Sequence, residues 1–65
     1  MLEHTERMIL EFNELMEKIN KLSAFIRGNA LFKGLDILEQ TRMVSQLGAM
    51  ESYAGILGSR IRAAK

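Results

Sequence analysis

The chain has 65 residues and a mass of 7.4 kDa, which allows one small domain spanning residues 1–65. A domain of this size buries only about 60% of the surface its unfolded chain exposes, so its stability margin is thin. With no Cys and one His, it has no disulfide framework and no thiolate or His-rich metal site to brace it. Nine basic and eight acidic side chains give a net charge of +1, too balanced to point to a nucleic-acid polymer.

Hydrophobic content of 48% and the absence of Pro exclude a disordered tail and a Pro-rich linker. The start, Met1 to Glu6, lacks the charged region and apolar core of a signal peptide. Apolar runs such as Met8-Ile9-Leu10 stop at three residues, far short of the roughly 20 that span a bilayer. A soluble protein without a membrane partner is expected.

The first element is a helix over about residues 2–27. Met8, Phe12, Leu15, Ile19, Leu22 and Ile26 step by 4, 3, 4, 3, 4, the a/d seam of helices that pack side by side. Leu2, Ile9 and Met16 fall at e and widen the apolar face. Glu14 and Lys18 are spaced for an i,i+4 ion pair on the outer face. Gly28 should end the helix in the left-handed cap conformation.

Residues 28–35 form the connection. Asn29 can cap a single turn there. Leu31, Phe32 and Leu35 are too apolar for a free loop and are expected to be mostly buried over the hairpin end.

The second helix covers about residues 36–63. Asp36 and Glu39 make a capping-box-like start. Met43, Leu47, Met50, Ala54, Leu57 and Ile61 repeat the 4, 3, 4, 3, 4 steps. Two matched seams and a short break predict an all-α antiparallel helical hairpin, coiled-coil-like, assembling into a four-helix bundle or a larger oligomer.

A second stripe on this helix, Ser45, Gly48, Ser52, Gly55 and Ser59, is made entirely of small residues. Each helical Gly costs about 1 kcal/mol relative to Ala. Either another surface packs closely on the stripe, or it is a solvated face. A hairpin covers one stripe per helix, which leaves Leu2, Ile9, Met16 and Val44 on its flank as an oligomer or partner interface. Tyr53, at a g position, is a hairpin-edge residue or an interface anchor.

Little here reads as chemistry. His4 near the terminus reads as an exposed bystander, and Glu11 and Glu14 as a solvated face. No catalytic residue, metal ligand or cofactor is expected. The run Ser59-Arg60-Ile61-Arg62-Ala63-Ala64-Lys65 complements the helix dipole or forms an anion site.

Four stretches carry a resemblance: Lys21-Leu22-Ser23-Ala24-Phe25-Ile26, Phe32-Lys33-Gly34-Leu35-Asp36, Gln46-Leu47-Gly48-Ala49-Met50, and Tyr53-Ala54-Gly55-Ile56-Leu57-Gly58-Ser59-Arg60-Ile61. The chain resembles, over about residues 8–62, a family of very small helical-hairpin proteins of tailed phages and prophages, grouped with an open reading frame of a crAss-like phage. Some members of that family are counter-defence sponges, symmetric oligomers whose inter-subunit pockets sequester the cyclic nucleotides of bacterial antiphage signalling. The resemblance implies a non-enzymatic binding protein in the cytoplasm of the infected host. It implies Arg60 as a phosphate contact, then Lys21, with Arg62, Lys65 and Lys33 adding charge. The other reading is an oligomeric helical module that binds and modulates a host protein.

Overall fold

The computed structural model describes residues 3–64. Among them the chain is all-helical: α1 is His4–Gly28, α2 is the single turn Ala30–Lys33, and α3 is Ile37–Ala63. The two long helices lie antiparallel. Gly58 sits beside Phe12, Tyr53 reaches Glu11, and Met43 and Gln46 share a groove with Lys18 and Phe25. The result is a rod of 44 × 17 × 16 Å, as expected for helices rising about 1.5 Å per residue.

The 3.5-residue period decides what is inside. Met8 and Ile19 on α1 face Ala54 and Leu57 on α3, and these four are buried. The other seam positions, Phe12, Leu15, Leu22, Ile26, Met43, Leu47, Met50 and Ile61, are half-buried. Two helices have only one shared stripe, so each seam residue keeps an edge toward water. Leu57 alone is fully enclosed, at 0% exposure.

The connection differs from the sequence expectation in two ways. The first is the end of α1. Gly28 closes the helix without a left-handed residue, since no described glycine has positive φ. Asn29 follows in an extended conformation, φ −92° and ψ 128°, and its N–H bonds the Phe25 carbonyl. It is also the N-cap of α2, with its Oδ1 accepting from the Leu31 N–H at 2.8 Å. An N-cap requires extended backbone, so this double duty excludes the left-handed cap.

The second is Leu31, expected to be mostly buried but 72% exposed. A single turn presents one face inward, and Phe32 takes it. The Phe32 ring meets Phe25 edge-to-face at 6.1 Å and 83°, and Leu31, about 100° around the turn, points outward. Phe32 and Leu35 are half-buried.

At α3 the Asp36 carboxylate accepts from the Leu38 N–H at 3.0 Å. Glu39 does not complete the box. It pairs with Arg42 at 2.8 Å. Glu14 and Lys18 do not close their expected ion pair; Arg42–Glu39 is the salt bridge found among the described residues.

No spacing or motif points to the role of Gln40. Its amide nitrogen donates to the carbonyls of Phe32 and Leu35, each at 3.0 Å, and of Lys33 at 3.3 Å. Phe32 and Lys33 close α2, and Leu35 follows it in the turn; the Phe32 carbonyl also accepts from the Leu35 N–H at 3.1 Å. One side chain of α3 thus ties down the whole connection.

Candidate functional site

The Tyr53 hydroxyl donates to the Glu11 carboxylate, which places the g positions of both helices on one flank of the rod. Lys18 and Phe25 follow Glu11 along α1, and Gln46 precedes Tyr53 on α3. Between them lies an open groove of about 500 Å³, lined by Lys18, Lys21, Leu22, Phe25, Met43, Gln46 and Met50. It runs on past Lys21 and Phe25 to a second hollow of about 520 Å³ at Ala24, Gly28 and Asn29.

The chemistry of this groove is mixed in a useful way. Leu22, Met43 and Met50 make an apolar floor that is half-buried, and thioethers adapt to irregular flat surfaces. Phe25 adds an aromatic ring to the lining. Lys18 and Lys21 bring two exposed ammonium groups, and Gln46 brings an amide that both donates and accepts. An anionic ligand with a flat ring system fits that set. Both lysines are exposed, so water screens their charge and a single hairpin holds such a ligand weakly. Small-molecule sites usually enclose about 70–90% of their ligand; one open groove does not.

The opposite flank carries the e positions. A hollow of about 350 Å³ lies between Ile26, Phe32, Ile37, Thr41 and Val44. Farther along, Phe12, Met16, Gly55, Gly58 and Arg62 line another of about 260 Å³. On this flank Ile9, Ile37 and Val44 are 38%, 69% and 52% exposed, and Met16 is half-buried.

The residues read from sequence separate accordingly. Lys21 stands in the lysine groove. Lys33 sits on α2 at the connection end of the rod, whereas Arg60 and Arg62 occupy the last turn of α3 at the other end. One chain therefore does not gather them into one anion site. Ser45, Gly48, Ser52, Gly55 and Ser59 are all exposed, and a Cβ added at Gly48 or Gly55 would meet nothing within 4 Å. Within one hairpin the small stripe packs against nothing. Tyr53 is a hairpin-edge residue with 42% of its surface exposed. Leu2 and Lys65 lie outside the described residues.

Lys18, Phe25 and Gln46 were not read as site residues from the sequence. Their signal was the g register itself, legible once 11, 18, 25 and 46, 53 are written on the same heptad. No group of three His, Cys, Asp or Glu side chains among the described residues is placed to hold a metal ion. No described helix is long and apolar enough to cross a membrane.

A family model named Sequestin matches residues 2–63. The chain belongs to the Sequestin family. A curated relative from Enterobacteria phage T4, an uncharacterized 7.5 kDa protein of the denB-rIIB intergenic region, is 41% identical over 61 residues, covering 94% of each chain. No solved structure matches significantly. The expected small phage family is thereby shown. The name Sequestin speaks of sequestering, a binding role, and the hairpin has an open groove with two lysines at its rim to set beside it.

Proposed function

We propose that this chain is a non-enzymatic phage counter-defence protein, an oligomeric sponge that sequesters a small anionic signalling nucleotide, of the cyclic kind, between subunits in the host cytoplasm. The observation that carries the reading is the groove in which Lys18 and Lys21 flank Phe25 and a methionine floor. Phosphates would pair with the ammonium groups, and a base would lie on the apolar floor with its polar edge toward Gln46. The family name supports sequestration. Openness of the groove is the physical reason for the second part of the proposal. A second subunit is needed to cover the ligand, and its Arg60, Arg62 or Lys33 would supply cations that one chain keeps apart.

Thermal melting against a panel of cyclic nucleotides tests this. A ligand that binds only the folded state raises the melting temperature, by about 2.7 kcal/mol of stabilisation at a hundredfold excess over Kd. Lys21→Ala is expected to abolish the shift while the ligand-free melt stays unchanged. A panel without any shift would remove the nucleotide reading.

A second reading, a module that binds a host protein, draws on Leu31 and Leu38, 72% and 63% exposed beside the connection. Paired apolar side chains at the tip of a rod suit a protein groove. Capture of one host protein by the wild type, lost in Leu31→Asp, would favour it over the sponge.

A further inference from the structure

We infer that the flank opposite the lysine groove is where a second copy of this chain packs, antiparallel, about a two-fold axis perpendicular to the rod. This interface is separate from the contact that would cover a ligand in the proposed sponge: it leaves the lysine groove of each chain open toward a further copy.

Area comes first. The hairpin exposes 4931 Å², whereas a folded monomer of its mass exposes about 4200 Å². The excess, roughly 700 Å², is close to one partner's share of a standard interface, about 800 Å². The excess belongs to the elongated 44 × 17 × 16 Å rod as a whole, a shape that pairing side by side with a second copy would make more compact.

Shape comes next. Toward the connection end, Ile37 and Val44 project from α3, 69% and 52% exposed. Toward the other end of the same flank, Gly55 and Gly58 open a hollow of about 260 Å³ beside Phe12 and Met16. Val44 and Gly58 are each seven residues from Glu51. A two-fold axis passing at Glu51 therefore seats each Val44 in the hollow of the other chain, twice over. Self-complementarity of this kind is what a two-fold interface demands.

Charge locates the same axis independently. The b positions of α1 read Glu6, Asn13, Asn20, Arg27, and their midpoint falls between Met16 and Glu17. That point is level with Glu51, because Phe12 neighbours Gly58 and Glu11 meets Tyr53. The axis thus brings Glu6 toward the partner's Arg27, and Arg27 toward the partner's Glu6. It also brings the two Glu51 carboxylates near one another, a repulsion that limits the affinity.

The chain has no native Cys, so introduced thiols report the geometry directly. Val44→Cys and Gly55→Cys variants, mixed and oxidised without any ligand, are expected to give the mixed disulfide dimer. Val44→Cys alone should bridge poorly, since its two thiols would lie about 20 Å apart along the rod. Light scattering of the wild type should give twice the chain mass at micromolar concentration. Gly55→Leu should return the monomer with its helix signal intact, because the position is open in the single hairpin. Glu51→Gln should tighten association roughly two- to fivefold. A wild-type monomer at all concentrations would overturn the interface, and so would Val44→Cys bridging to itself as readily as in the mixture. None of these readouts contains a nucleotide, so a silent nucleotide panel beside a correct disulfide map would sink the proposed function and leave the interface standing.

Discussion

At Gln40 a single amide nitrogen serves three carbonyl oxygens. Removing it leaves the Lys33 and Leu35 carbonyls to find water and Phe32 with only its bond from the Leu35 N–H, a loss of about 1–2 kcal/mol. Gln40→Ala is therefore expected to lower the melting temperature clearly. Gln40→Glu should do at least as much at neutral pH, because an ionised carboxylate only accepts and would face carbonyl oxygens. Nearby, the two apolar side chains of α2 should behave differently. Phe32→Ala is expected to cost about 2 kcal/mol, roughly half the figure for a fully buried ring, together with its edge-to-face partner Phe25. Leu31→Ala should stay within about 0.5 kcal/mol, the surface range. Chemical denaturation of the pair checks both, and equal effects would mean that the turn is oriented otherwise.

The long helices were legible in the sequence because their signal is a spacing. Six apolar residues at steps of 4 and 3 define a stripe whatever their identities, and a second identical stripe supplies the partner. The connection was not legible to the same degree. Whether Gly28 adopts a left-handed cap depends on what Asn29 must do for the next turn. Which of Leu31 and Phe32 faces inward depends on Phe25 and on a glutamine eight residues on. These are contacts, and no period announces them. The lysine groove lay between the two cases: Lys21 was read from a resemblance, while Lys18, Phe25 and Gln46 needed the register to be carried onto a second stripe. On α3 the open space around Gly48 makes a definite prediction. Gly48→Ala should raise the stability of the dilute chain by about 1 kcal/mol through helix propensity alone, measured by thermal melting at sub-micromolar concentration.

As a whole molecule the hairpin is thinly stabilised. Four residues are buried among those described, and one of them is an alanine. Burial of a large aliphatic side chain contributes about 1.5–3 kcal/mol, and the ordering of two long helices opposes it. Stability should consequently depend on protein concentration, since association adds to folding by mass action. A tenfold dilution is expected to lower the melting temperature measurably, and the Gly55→Leu variant should lose this dependence. A concentration-independent melt of the wild type would show that the single hairpin stands alone.

The Gln40 clasp also sets an order of events. In an antiparallel hairpin, the contacts nearest the connection join residues closest in sequence, so they close the smallest loops at the least entropic cost. Phe32 is seven residues from Phe25 and eight from Gln40, whereas Glu11 and Tyr53 are separated by 42. The chain should zip from the clasp toward its termini. Gln40→Ala would then act chiefly by slowing folding, while Tyr53→Phe and Leu57→Ala would act chiefly by speeding unfolding. Stopped-flow kinetics of the three variants would read this out as a gradient along the rod, early at the turn and late at the open end.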